Sequence, residues 1–219
     1  MAEPIEGLIE RLVAEAEPVQ RLPPPALRAA MWLFMAGAAM ALAVVLFADL
    51  ALFRERASDP KLMLELIATL LTGILAVLAA FELSLPDRSS VWALLPLPPL
   101  ALWIASSGYS CYRHWLVYGP GGWGLGESAH CFRFIIGASL PLGVALLLTL
   151  RRAAPLAPVP VAAMGGLGSA ALAAFILQFF HPFDVTVMDL AVHLGSVALV
   201  VAIAAAWERR ASRNAGLAA

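Results

Sequence analysis

The sequence predicts an all-α, polytopic membrane protein: six transmembrane helices behind a short N-terminal cytoplasmic amphipathic helix. Two observations carry the membrane assignment. Hydrophobic residues make up 62% of the chain and charged residues 13%. Six apolar stretches, Leu27–Phe53, Leu62–Leu85, Val91–Ser107, Cys131–Leu150, Val161–Phe180 and Val185–Trp207, follow one another with short polar breaks. Each is close to the ~20 residues a helix needs to cross a bilayer. A third observation, an acidic segment with a helical apolar stripe ahead of the first stretch, gives the fold its cytoplasmic arm. The expected organisation is an arm over residues 1–26, a membrane domain over 27–210 and a cytoplasmic tail over 211–219.

The arm comes first in the chain. In Pro4–Glu17 the apolar residues Ile5, Leu8, Ile9, Leu12, Val13 and Ala16 recur at helical spacing. The opposite face holds Glu3, Glu6, Glu10, Glu15 and Glu17 against a single Arg11. Pro23-Pro24-Pro25 then stops the helix and forms a stiff spacer. The segment is acidic and has no cleavage pattern, so it does not read as a secretory signal. A helix this short is marginal in water and needs a surface to cover its stripe. An anionic membrane surface suits acidic residues poorly. A groove on a partner with basic surroundings suits them better, with Ile5, Glu6, Leu8, Ile9, Glu10, Leu12, Val13, Val19 and Leu22 as the contact residues. The competing reading is self-docking against Arg151 and Arg152.

Orientation follows from Lys and Arg at the span ends. With a cytoplasmic N-terminus, nine of the 14 basic residues lie inside, including Arg151, Arg152, Arg209, Arg210 and Arg213. Both termini are then cytoplasmic. Among the spans, the third contains Pro96, Pro98 and Pro99 and is expected to kink or break within the membrane. The fourth contains Pro141. The fifth carries Gly165, Gly166, Gly168 and Ser169, small residues that let helices approach closely, and packing is favoured over a substrate path.

Most of the chain's four His and two Cys gather at the outer side of this topology. Cys111, His114, His130 and Cys131 bracket the loop between the third and fourth spans, and His181 and Asp184 lie in the last turn. Asp189 and His193 share a face of the sixth span. Asp49 and Glu65 sit near outer span ends. Three readings stand side by side. Cys111 and Cys131 form a disulfide in an oxidising compartment; or His130, Cys131, His181 and Asp184 converge on a soft or borderline metal; or the polar groups are hydrogen-bonded fill. No Cys-x-x-Cys or His-x-x-x-His is present. The Gly- and aromatic-rich stretch 108–130 reads as an interfacial anchor.

Three passages then converge on a known family. "LIERLVAEAEPVQRLPPPALRAAMWL" resembles a short cytoplasmic arm running into a first span. "CFRFIIGASLPLGVALLLTLRRAAPLAP" resembles a fourth span with a cysteine at its outer start, and "LQFFHPFDVTVMDLAVHLGSVALVV" a last hairpin. Together, and in this order, they resemble the six-span bacterial membrane anti-sigma factors named negative regulator of sigma F (NrsF), over nearly the whole chain. The resemblance implies an inner-membrane regulator, not an enzyme. Its arm would hold an extracytoplasmic-function sigma factor away from RNA polymerase and release it on an outer-side stress signal. It also implies cysteine sensing at Cys131. The family's second cysteine is expected where this chain has His181-Pro182, which leaves Cys111 or His181 to act beside Cys131. No resident cofactor is expected, beyond a metal ion as signal. The expected partners are the sigma factor and membrane lipid, with no direct contact to nucleic acid.

A small transporter or channel for a metal ion or protons is the alternative, resting on the proline-rich third span, the Gly-rich fifth and Glu65/Glu82; no inverted repeat supports it. A thiol or quinone oxidoreductase lacks the close Cys pair it would need.

Overall fold

The computed structural model describes residues 5–15, 22–119, 125–180 and 187–217. Among these residues every regular element is helical: α1 (Ile5–Glu15), α2 (Pro25–Phe47), α3 (Leu50–Arg56), α4 (Pro60–Leu83), a 3-10 turn (Ser90–Leu94), α5 (Leu97–Tyr118), α6 (Leu125–Arg151), α7 (Pro158–Leu177) and α8 (Val187–Leu217). Six stretches are long and apolar enough to cross a membrane, as the hydropathy pattern predicts.

The helix at the centre is α7. Of its apolar window 72% is buried, against 11% for α2. It packs on α4, α6 and α8, while α2 and α5 lie against α4. The reason is composition. Lipid is as apolar as leucine, so helix association inside a bilayer depends on close packing and not on expulsion of water. Helix α7 presents Gly, Ala and Ser nearly all round, and α4 answers with Ala68, Thr72, Gly73 and Ala76. At Gly168 an added Cβ would sit 2.7 Å from Cγ2 of Val77 and 3.1 Å from its backbone nitrogen. At Gly166 it would sit 3.1 Å from Cβ of Ala204 and from Cα of Val201 on α8. The glycines of the fifth span are therefore packing surfaces on two sides. On α2, Phe34, Met35, Val45 and Phe47 are exposed. Such a face belongs against acyl chains; in water it would be an aggregation surface.

The chain runs up and down. Arg28 at the start of α2 donates from Nη2 to the Thr149 carbonyl at the end of α6 at 3.0 Å, and its guanidinium lies 5.1 Å over the ring of Phe81 near the end of α4. Arg151 at the end of α6 meets Glu208 near the end of α8. The root of α2 and the far part of α8 thus lie at one end of the bundle. Cys111, Cys131, Asp189 and the Phe53–Phe179 stack lie at the other.

Three expectations are corrected. The first span ends at Phe47, not Phe53. Asp49 breaks it, accepting hydrogen bonds from the amides of Ala51 and Leu52 at 3.1 Å as the cap of the separate helix α3. The third span is not broken in mid-membrane. Pro96 caps α5 and Pro98 and Pro99 fall in its first turn, where no backbone donor is needed, after the short 3-10 turn. The stretch 108–130 is helical as far as Tyr118 and again from Leu125, so Cys111 lies on a helix and not in a loop. In addition, α8 continues to Leu217, into the segment assigned to the tail.

Candidate functional site

The arm is a helix, as its periodicity requires. Its apolar residues are uncovered: Ile5 is 75% exposed, Ile9 53%, Leu12 58% and Val13 70%. Glu10 and Glu15 are exposed beside them. Val19 lies outside the described residues, as do the side chains of Glu6 and Leu8. Leu22 is 44% exposed, at the head of the proline spacer. Pro24 is extended at φ −50° and ψ 142°, and Pro25 opens α2 with the fixed φ that a first helical position favours. Of the two arginines offered for self-docking, Arg151 is paired with Glu208 and Arg152 is exposed.

The spacer leads directly into a set of charged contacts at the same end of the bundle. Arg28 ties α2 to α4 and α6 as described. Arg88 Nε meets Glu82 at 3.2 Å. Arg151 reaches Oε1 of Glu208 through Nε at 2.8 Å and Nη2 at 2.7 Å. Glu82 and Glu208 are both buried, so each needs its cation. The sequence marks these arginines as topology signals, and Arg151 also as a docking point for the arm, but not as partners of Glu82 and Glu208. Their partners were hidden because Glu208 sits beside Arg209 and Arg210 and is absorbed into a basic cluster.

At the opposite end the polar groups lie in two neighbourhoods, each of which reaches α8. In the first, buried Glu65 on α4 accepts from the hydroxyl of Ser110 on α5 at 3.0 Å. The neighbouring Cys111 thiol is within electrostatic reach of Glu65 and of Asp189 on α8. Asp189 and His193 are buried, and His193 Nδ1 lies 2.7 Å from the Asp189 carbonyl, one turn back. In the second neighbourhood Cys131 packs with Ile135 of α6 and Leu177 of α7, with Phe134 and Val192 alongside. Both cysteines are buried. His130 is exposed while Cys131 faces inward, as adjacent positions on a helix do. His181 and Asp184 lie outside the described residues. Among the described residues no group of three His, Cys, Asp or Glu side chains is placed to hold a metal ion. Glu65 and Glu82 stand at opposite ends of α4, about 25 Å apart at 1.5 Å per residue, and each has its own partner.

The geometry thus has two features: an uncovered acidic amphipathic helix at the N-terminus and a bundle with polar contacts at both ends. A family model described as negative regulator of sigma F (NrsF) matches residues 12–213. The chain belongs to that family. No curated protein and no solved structure matches it. The NrsF match starts within α1, at Leu12, takes in the proline spacer and five membrane helices whole, and follows the sixth as far as Arg213. Ile5–Arg11 stand ahead of it. As an NrsF protein, the chain is a multi-pass anti-sigma factor whose described function is regulatory.

Proposed function

We propose that this anti-sigma factor lies in the bacterial inner membrane with both termini in the cytoplasm. There it holds an extracytoplasmic-function sigma factor on its N-terminal arm. The observation that carries this reading is the uncovered stripe of α1, Ile5, Ile9, Leu12 and Val13, set among exposed carboxylates. An 11-residue helix whose described apolar residues are exposed is poorly stable alone and gains most when a partner groove covers it. Sigma factors must meet nucleic acid and therefore carry basic surfaces, which the glutamates of α1 would complement. Release is a shift between two populations and needs no catalysis. An outer-side stress signal sensed near Cys131 would act on α6, whose other end holds both the arm's root, through Arg28 and Thr149, and the Arg151–Glu208 pair.

Co-purification from native membranes tests the capture step. The full chain retains the sigma factor; a chain lacking residues 1–26, or one carrying Ile9→Glu with Leu12→Glu, loses it. Retention by the truncated chain would sink the proposal. Cys131→Ala tests the sensing step separately: the sigma factor stays bound when the stress is applied.

A further inference from the structure

A groove runs along the membrane-facing side of the bundle between α6 and α8. It encloses about 330 Å³. Gly166 and Ser169 of α7 form its floor, Val144 and Ile203 line its sides, and Arg151 and Trp207 close one end. Along α6 it extends from Ile136 to Arg151, about 22 Å at 1.5 Å per residue. That exceeds the depth of one leaflet of a ~30 Å hydrocarbon core.

The chemistry of its walls is one-sided. The floor hydroxyl, Ser169 Oγ, is spent on the Gly166 carbonyl at 3.1 Å, and Ser139 Oγ is spent on the Ile135 carbonyl. The length of the groove therefore offers an occupant nothing polar. Its end is different. Arg151 is 43% exposed at the side chain, and its pair with Glu208 uses Nε and Nη2. That pair does not use Nη1. Arg152, Arg209 and Arg210 stand exposed next to the pair in the chain. Trp207, 63% exposed, is the residue type that settles at headgroup level. The occupant that matches is apolar along its length and negative at one end.

We propose that this groove is a binding site for one anionic phospholipid, with an acyl chain along α7 and the phosphate at Arg151. The site is independent of the arm and of any sigma factor.

The test uses the full chain, delipidated in detergent and titrated with phosphatidylglycerol or phosphatidylcholine of identical chains, with bound lipid counted by native mass spectrometry. One phosphatidylglycerol per chain is expected to bind about fivefold better than phosphatidylcholine, the weight of one arginine near an anionic headgroup. Arg151→Gln combined with Glu208→Gln keeps a hydrogen-bonded pair of similar size at the same net charge, and lowers that ratio by removing the guanidinium that meets the headgroup. Val144→Phe, at an exposed rim position, weakens binding of both lipids by filling the groove. Equal binding of the two lipids by the unaltered chain, a phosphatidylglycerol preference that survives both variants, or dimerisation that Val144→Phe abolishes would each overturn the proposal.

Discussion

The contact of α7 with α4 makes the sharpest prediction about what holds the bundle together. Consider Gly168→Ala. The new methyl would lie 2.7 Å from Cγ2 of Val77, 3.1 Å from its backbone nitrogen and 3.4 Å from the Gly73 carbonyl. Two of these three are backbone atoms and cannot rotate away. Restoring ordinary contact requires the helices to part by roughly 0.5–1 Å, which forfeits a quarter to a half of the dispersion attraction at each facing pair. Overpacking of this kind costs about 1–3 kcal/mol. Gly37→Ala is the control. Among the described residues no atom beyond its own helical turn lies within 4 Å of its added Cβ, on the helix whose window is least buried. That change is neutral, or stabilising by up to about 1 kcal/mol through helix propensity. The assay is thermal unfolding in detergent, followed with a thiol-reactive dye, because Cys111 and Cys131 are only 3% and 1% exposed and become reactive on unfolding. Adding Val77→Ala removes the closest clash but not the one with the backbone, so it restores part of the loss in a double-mutant cycle. If Gly168→Ala unfolds at the same midpoint as Gly37→Ala, the account of the bundle as held by backbone-close packing at this seam is wrong.

Four other outcomes follow from the same contacts. Ile9→Glu or Leu12→Glu, each on an exposed face, keeps α1 helical but places a charge in the partner groove; each should weaken sigma-factor capture by about 2 kcal/mol or some thirtyfold, read by titration of the purified full chain. Arg151→Gln should destabilise the protein more than Glu208→Gln, by about 1–3 kcal/mol, because it strands the buried member of the pair; matching melting points would refute this assignment. Asp49→Ala should cost about 1 kcal/mol locally, seen as faster hydrogen exchange at Ala51 and Leu52 with little change elsewhere. A membrane-impermeant maleimide should label neither Cys111 nor Cys131 in the folded protein, and stoichiometric labelling before unfolding would contradict their burial.

The legible and illegible parts of this chain divide along a physical line. Hydropathy over ~20 residues is a one-dimensional property, and it placed all six spans. The helical stripe of α1 is also local, and Ile5, Ile9, Leu12 and Val13 lie where spacing puts them. The prolines were misread because their effect depends on position within the helix. Pro98 and Pro99 break a helix interior but suit a first turn, and only the 3-10 turn at Ser90–Leu94 decides which case applies. Asp49 was misread for a related reason: a carboxylate at a span end can be a charge in search of a partner or a cap.

The charged contacts were the least accessible, because they join residues remote in sequence. Arg28 and Thr149 are 121 positions apart, and Arg151 and Glu208 are 57 apart. Counting arginines on one side of a membrane treats them as a uniform field, yet Arg28 and Arg151 hold helices together while Arg152, Arg209 and Arg210 face outward. The distinction matters for function. A basic residue that only sets topology can be moved along its loop at little cost. Arg28 cannot, since its guanidinium meets a carbonyl of α6 and the face of Phe81 at once. It is also the first charged side chain after the proline spacer. Whatever pulls on the arm therefore pulls on α4 and α6 before it reaches the rest of the bundle. Arg28→Lys offers the test: it keeps the charge but loses the planar fork. Topology set by charge alone predicts no change in stability, whereas the observed contacts predict a lower melting point with orientation in the membrane unchanged.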